Sequence, residues 1–312
     1  MKEIIVSVIV PNYNHSVYIK ERIESVLQQT YDNYELILLD DCSTDDSRDI
    51  LLQYKDNPHV SHLVFNEENS GSPFKQWDKG IKLAKGKYIW IAESDDYAHP
   101  DFLKSTVAAL DNNSDVVVVY TGSQMVDSKG NFLELDWDKF DKTTPLQAKY
   151  DSQYFLHRKM LWNTSIYNAS MVLFRKECYD KVDKGFRTFR YCGDWYFWNE
   201  ICRLGNVVSI NQKLNYFRQH ENKVSPKAEK EGLYFVEGGM IMKRMMTLLN
   251  LSDYQKAVII GRTLKRLYKM TKKNKSLRQN ILDKDLFFSH KSYSYVVIYE
   301  IDKIFNWSKL HS

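Results

Sequence analysis

Three carboxylates within four residues mark the stretch of this sequence best suited to chemistry. Glu93, Asp95 and Asp96 directly follow the apolar run 88–92. Such a run is typical of a strand covered on both faces, and ligands of open α/β sheets bind beyond the carboxyl ends of such strands. Acidic oxygens crowded at this point repel one another unless a cation lies between them, so the pattern predicts a divalent metal that carries a phosphate ligand. The simpler interpretation is that one Asp only caps the helix expected after Pro100.

Two further apolar runs also end in polar or turn-forming residues. The run 34–39 ends in Asp40 and Asp41, and the run 4–10 ends in the turn-forming tetrad PNYN. Helical patterns separate these runs, and such alternation predicts an α/β fold with a doubly wound, mostly parallel central sheet. In that sheet the three strand ends line one edge, where they can act on one ligand.

The pattern changes in the second half of the chain. We expect a helix over 191–204 that contains Asp194, and from Pro226 onward the sequence is helical and increasingly basic. We therefore predict an α/β domain over 1–224 and a basic helical extension over 225–312. Two interpretations of the extension remain open, because a basic helical face either contacts anionic lipid at a membrane surface or is simply solvated.

Composition describes an ordinary globular chain and gives no sign of a nucleic-acid partner. Hydrophobic residues make up 43% and charged residues 27% of the 312 residues, and the net charge is only +4. No block of Lys and Arg accompanies a nucleic-acid-binding motif. The four cysteines form no CxxC pair, so we expect reduced thiols. No apolar run approaches the roughly 18 residues of a membrane span, and we expect a cytoplasmic protein, peripheral at the inner face of the membrane if the basic region contacts lipid.

Several motifs in order resemble the family 2 glycosyltransferases. They are SVIVPNYNHSVYIKERIESVLQQTY, ELILLDDCSTDDS, NSGSPFKQWDKGIKLAKGKYIWIAESDDY, NASMVLFRKE, GDWYFW and FRQHENKVS. The resemblance covers roughly residues 4–224. The resemblance implies a GT-A fold and transfer of a sugar, with inversion, from a nucleotide-diphosphate sugar to a glycan or lipid-linked saccharide. Uridine is the base expected first. A non-catalytic nucleotide-sugar-binding or scaffold protein is the alternative.

The resemblance also implies roles for residues that bind the donor. Pro11 and Tyr13 would lie against the nucleobase, and Asp41 would accept a hydrogen bond from it. Asp95 would contact the ribose, and Asp96 would bind the metal that bridges the two phosphates.

The remaining implied roles concern the reaction itself. Asp194 matches the catalytic base of the family, and His220 matches a histidine near the metal and diphosphate, which Mn²⁺ tolerates better than Mg²⁺. Gly193 stands where the family often has Glu, and Glu93 stands where it often has Asp. From the sequence alone, Asp194 can equally be the N-cap of its helix.

Overall fold

The computed structural model describes residues 3–138, 140, 143–161, 164–220, 232–284, 294–308 and 310. The chain forms two compact units, one made of Met1–Ser152 with Ile166–Glu221 and the other of Gln153–Ser165 with Asn222–Ser312. The predicted boundary at 224/225 lies outside the described residues and stays a prediction. No pattern in the sequence indicated that 153–165 would join the second unit.

Strands and helices alternate through the first half of the chain, as the hydrophobic pattern predicts. The strands are β1 (Val6–Asn12), β2 (Tyr34–Asp40), β3 (Val60–Phe65), β4 (Tyr88–Ile91), β5 (Tyr97–Ala98), β6 (Val116–Val126), β7 (Gln147–Tyr150), β8 (Val172–Arg175) and β9 (Asn206–Arg218). The described α-helices are α1 (Ser16–Leu27), α2 (Ser47–Leu52), α3 (Pro73–Leu83), α4 (Phe102–Asp111), α5 (Ser152–Phe155), α6 (Gly193–Cys202), α7 (Leu233–Leu248), α8 (Asp253–Met270), α9 (Lys275–Lys284) and α10 (Ser294–Phe305).

The strands form one sheet in the order β3-β2-β1-β4-β8-β6-β9-β5, and β7 also pairs with β9. β3, β2, β1 and β4 run parallel, and β8 is antiparallel to both β4 and β6. The parallel half confirms the predicted α/β arrangement. Its strands are buried along their whole length except for β3, because helices cover both faces.

The carboxyl ends of β1 and β2 meet because Asn12 pairs with Asp40 in register. We expected Pro11 to end β1, but the strand continues through Asn12. Pairing of β1 with β4 extends only to Ile9 and Ile91, so no ladder bond to β4 is lost at the proline nitrogen. β1 therefore ends two residues later than the apolar run 4–10 suggested.

The two apolar runs 207–210 and 214–217 form the single strand β9. Register shifts against β6 near Gly122 absorb the irregularity between the two halves. β9 consequently runs without a break to Arg218 and delivers the RQH motif to the polar edge of the sheet.

The described part of the second unit is helical. α8 begins with a capping box in which Ser252 Oγ accepts a hydrogen bond from Gln255 N, and the Gln255 side chain bonds back to Ser252 N. Gly261 lets α10 approach closely, since a Cβ there would lie 1.9 Å from the carbonyl oxygen of Tyr295. No described helix is both long and apolar enough to cross a membrane.

Gly86, between α3 and β4, provides a test of how tightly the parallel sheet is packed. A Cβ at this position would lie 2.5 Å from Ser7 N and 2.7 Å from Val6 C, which are backbone atoms of β1. We expect Gly86→Ala to lower the free energy of unfolding by about 2 kcal/mol or more, because strand backbone must move. Urea denaturation followed by tryptophan fluorescence measures the change.

Gly71→Ala is the matched control. Gly71 has a φ of +76°, and a Cβ added to it would meet no atom within 4 Å, so only backbone strain of about 1 kcal/mol is expected. Equal losses in the two variants would contradict the steric interpretation of Gly86.

Candidate active site

Asp96 is enclosed beneath the loop that follows β4. It is 1% exposed, Asn168 Nδ2 donates to its Oδ2 at 2.8 Å, and Arg218 N donates to its Oδ1 at 3.0 Å. Arg22 Nη2 lies 4.0 Å from Oδ2. Burial raises the pKa of Asp96 to about 6, and the nearby Asp95 carboxylate acts in the same direction, against the opposing charge of Arg22. These contacts make Asp96 an internal brace of the loop.

Arg22 projects from α1 and supports the loop from below. Nε donates to Glu93 O at 2.8 Å, Nη2 donates to Ser170 Oγ at 3.1 Å, and the guanidinium lies over the Trp90 ring at 5.6 Å. Burial lowers the pKa of Arg22 to about 10, which leaves it charged at neutral pH. A buried cation beneath an acidic loop offsets the repulsion among its carboxylates.

Arg218, the last residue of β9, holds the same loop from the other side. Nε donates to Asp95 O at 2.8 Å, and the terminal nitrogen Nη2 pairs with Glu21 on α1. The guanidinium lies between the rings of Tyr18 and Tyr97, at 4.8 and 5.5 Å. Both arginines donate hydrogen bonds to main-chain carbonyls of the loop, so they fix its path.

Asp95 belongs to a different group, which can hold a metal ion. One ligand atom from each of His15, Asp95 and His220 lies within 4.8 Å of the others. His220 Nε2 is 2.9 Å from Asp95 Oδ2, and His15 Nδ1 is 2.7 Å from Ser94 Oγ. Burial lowers the pKa of His15, which favours the neutral imidazole that binds metals.

The donor atoms of this group fit a divalent cation. His220 Nδ1 is buried without a hydrogen-bond partner among the described residues, and a bound ion or water is a common partner of such an atom. Two imidazoles and a carboxylate suit Mn²⁺ better than Mg²⁺, which prefers oxygen ligands alone.

The Glu93 side chain contacts α3. Trp77 Nε1 donates to its Oε1 at 2.8 Å. Burial raises the pKa of Glu93 to about 8, and the Asp95 carboxylate raises it as well. The glutamate therefore links the acidic loop to α3.

Asp41, beyond the end of β2, is 4% exposed and organises the loop before α3. Its Oδ1 accepts hydrogen bonds from Asn66 Nδ2, Ser70 N and Gln76 Nε2 at 2.6 to 2.9 Å. Oδ2 accepts one from Ser70 Oγ at 2.7 Å. Among the described residues Oδ2 accepts only this hydrogen bond, whereas Oδ1 accepts three, so Oδ2 is the oxygen better able to accept another from a ligand.

Pro11 and Tyr13 lie at the neighbouring strand end. Pro11 is buried within β1, whereas Tyr13 is 47% exposed just beyond it. Asp40 holds this corner together, because Asn12 Nδ2 and Ser43 N each donate to it at 2.9 Å. The exposed ring therefore stands on a rigid base beside Asp41.

Asp194 lies in the first turn of α6 and is partly exposed. The N-cap of this helix is Cys192, so the interpretation of Asp194 as N-cap is not supported. Trp195 N donates to Asp194 Oδ1 at 2.7 Å, which orients the carboxylate. The preceding Gly193 is required by packing, since a Cβ there would lie 2.5 Å from the Phe74 ring of α3 and 2.7 Å from Phe186 O.

α3 connects these parts of the site. Gln76 bonds to Asp41, Trp77 bonds to Glu93, and Phe74 packs against Gly193 next to Asp194. One turn of α3 thus connects Asp41, the acidic loop and the start of α6.

Sequence reasoning missed four residues of the site, and it assigned one role that the geometry does not favour. The missed residues are His15, which follows PNYN directly, and the three that hold Asp96, namely Arg22, Asn168 and Arg218. An arginine among the apolar positions of α1 was a signal for Arg22. Asp96 was predicted to bind the metal, but both of its oxygens face the protein, and the group that can hold a metal contains Asp95 instead.

Solved structures share this architecture. Staphylococcus aureus TarS 1–349 in complex with UDP-GlcNAc aligns over 98% of this chain and 90% of its own, with a TM-score of 0.68 at 20% identity. The mannosyltransferase PcManGT from Pyrobaculum calidifontis, in complex with GDP-Man and Mn²⁺, aligns over 97% of this chain and 87% of its own, with a TM-score of 0.54 at 14% identity. The fold is that of the GT-A glycosyltransferases.

Proteins similar to this chain in sequence are named glycosyltransferases as well. The putative teichuronic acid biosynthesis glycosyltransferase TuaG of Bacillus subtilis is 31% identical over 222 residues, which are 71% of this chain and 81% of TuaG. The poly(ribitol-phosphate) β-N-acetylglucosaminyltransferase TarS of S. aureus is 31% identical over 192 residues, which are 59% of this chain and 32% of TarS. Residues 7–183 match the family described as Glycosyl transferase family 2, and the chain belongs to that family.

The ion pair beneath the acidic loop can be tested by removing its cation. We expect Arg22→Met to lower the free energy of unfolding by about 3 to 5 kcal/mol, because Asp96 is left buried without a countercharge. Adding Asp96→Asn to this variant should recover part of the loss, a coupling of about 0.5 to 3 kcal/mol. Chemical denaturation of the wild type, both single variants and the double variant completes the cycle, and strict additivity would contradict the pairing.

Proposed function

We propose that this enzyme transfers a sugar, with inversion, from a nucleotide-diphosphate sugar to a hydroxyl of a glycan or lipid-linked saccharide. The observation that carries the proposal is the His15, Asp95 and His220 group beside the carboxyl ends of β1, β2 and β4. A diphosphate at this edge needs a cation, and a nucleoside needs the acceptor that Asp41 supplies. The relative TarS, solved with UDP-GlcNAc, supports a uridine donor.

Donor binding follows from the groups at the strand ends, of which Tyr13 is exposed. Pro11 and Tyr13 supply the apolar contact for the base, and Asp41 Oδ2 accepts a hydrogen bond from its N–H. Asp95 and Asp96 were both assigned to donor binding by resemblance. In our proposal Asp95 reaches the donor directly, and Asp96 acts on it only by bracing the loop.

His15, Asp95 and His220 would hold a Mn²⁺ or Mg²⁺ ion. Such an ion neutralises the negative charge that collects on the departing diphosphate. The GDP-Man and Mn²⁺ in the PcManGT structure support this choice of cation. His220 keeps the role that the sequence predicted for it.

Asp194 is the proposed general base. Its place in the first turn of α6 favours the ionised carboxylate, because the helix dipole and free N–H groups stabilise negative charge. Trp195 N occupies Oδ1, so the carboxylate is oriented before substrate binds. The acceptor hydroxyl transfers its proton to Asp194 as its oxygen attacks the anomeric carbon, and the nucleoside diphosphate leaves from the opposite face.

Replacing Asp194 separates catalysis from donor binding. We expect Asp194→Asn to lower kcat by about 10² to 10⁴, because the amide cannot take the proton, while UDP binding measured by thermal shift is retained. Release of UDP from UDP-GlcNAc and related donors in the presence of a saccharide acceptor measures turnover. Asp180→Asn, at an exposed acid, is the control and should remain near wild type. Turnover near wild type in Asp194→Asn would refute the assignment.

The proposed metal ligands predict a specific loss of metal dependence. We expect Asp95→Ala and His220→Ala to weaken Mn²⁺ binding by at least about tenfold and to abolish the extra thermal shift that Mn²⁺ gives with UDP. Electron paramagnetic resonance of free Mn²⁺ gives the affinity directly. His62→Ala, in β3, is the matched control and should bind Mn²⁺ as the wild type does. If Asp95→Ala keeps wild-type affinity and Asp96→Asn does not, the metal lies on Asp96 after all.

A further inference from the structure

The last described helix, α10, carries an apolar stripe on its exposed face. Val297, Ile301, Ile304 and Phe305 recur at the spacing of one helical face, and Trp307 follows just beyond; we call these five residues the α10 stripe. They are exposed by 47%, 39%, 76%, 56% and 63%, respectively. A helix on a globular unit normally turns its apolar face inward, so a stripe of this kind marks a surface with a partner.

The opposite face of α10 is fixed against α8, so the stripe cannot turn inward. Tyr295 and Tyr299 pack against Gly261 of α8, and Tyr254 on α8 donates to Asp302 Oδ1 at 3.0 Å. Asp302 also accepts from Ser308 N at 2.8 Å, which closes the end of the helix. The outward direction of the α10 stripe is therefore a property of the fold of this unit.

The charge around the stripe is positive. Lys265 and Lys303 lie over the ring of Tyr299 at 5.8 and 6.0 Å. Both contact Glu300, the acid that borders the stripe, at 2.5 and 3.7 Å, so this negative charge is compensated. From Gly232 to Ser308, Lys and Arg outnumber Asp and Glu by more than two to one.

We propose that the α10 stripe docks on an anionic lipid bilayer, with Ile304, Phe305 and Trp307 inserted at the headgroup level. Aliphatic and aromatic side chains flanked by lysines are the composition of helices that lie in the membrane interface. The biological role of this docking rests on the proposed function, since docking would bring the enzyme to a lipid-linked acceptor.

A second copy of the chain is the competing occupant, and two observations disfavour it. Pairing the stripe with itself would bring the positive surfaces of two copies together. A stable protein interface also needs about 800 Å² from each partner, whereas one stripe on a three-turn helix is narrow. Insertion into lipid needs only a few apolar side chains together with attraction to anionic headgroups.

Vesicle flotation of the full chain tests the proposal. We expect binding to vesicles of equimolar phosphatidylcholine and phosphatidylglycerol, weakened by high salt, and little binding to phosphatidylcholine alone. Ile304→Gln/Phe305→Gln/Trp307→Gln should lower partitioning by at least about tenfold, because the inserted apolar area is lost. Met240→Gln/Leu248→Gln removes exposed apolar side chains from α7 of the same unit and should bind as the wild type does.

Two further measurements separate the alternatives. Quenching of tryptophan fluorescence by brominated phosphatidylglycerol should disappear largely in Trp307→Phe, as expected if this ring enters the bilayer. UDP binding by thermal shift should be unchanged in every variant, so a failure of docking is distinguishable from a failure of the proposed catalytic function. Absence of flotation with anionic vesicles, or a concentration-dependent dimer that the triple variant abolishes, would overturn the proposal.

Discussion

The site depends on the burial of carboxylates within one short loop. In their charged forms Glu93, Asp95 and Asp96 repel one another, and removing charged groups from water costs several kcal/mol each unless countercharges and hydrogen bonds compensate. Arg22 and Arg218, which are far apart in the sequence, supply those charges and bond to the carbonyls of Glu93 and Asp95. Because both arginines hold the main chain, the loop keeps its path whichever side chains contact a ligand.

This arrangement divides the work between two adjacent aspartates. Asp96 turns inward to Asn168, Arg218 N and Arg22, and these contacts hold the loop in place. Asp95 turns toward the histidines on the other side, where a cation can reach it. The chain turns at Ser94 and Asp95, where Asp96 N donates to Glu93 O at 3.3 Å, and the two adjacent aspartates therefore contact different groups.

The sequence predicted the parts of the molecule that depend on local pattern. The apolar runs became β1, β2 and β4, and their polar ends meet at one edge because parallel strands align their carboxyl ends. It did not predict which aspartate would face inward, since that follows from the position of Arg22 on α1 and Arg218 on β9. It also missed His15, because its contact with Ser94 joins residues from two loops that only the folded sheet brings together. Long-range partners of this kind leave no periodic signal.

The two departures from the family pattern have a common physical origin in α3. The longer Glu93 reaches the indole nitrogen of Trp77, a contact that the shorter aspartate would not span from the same backbone position. Gly193 leaves room for Phe74, one turn earlier on the same face of that helix. Close packing around α3 therefore favours a long acid where Trp77 is bonded and a residue without a side chain where Phe74 packs. Glu93 and Gly193 are thus adjustments to the aromatic packing of α3.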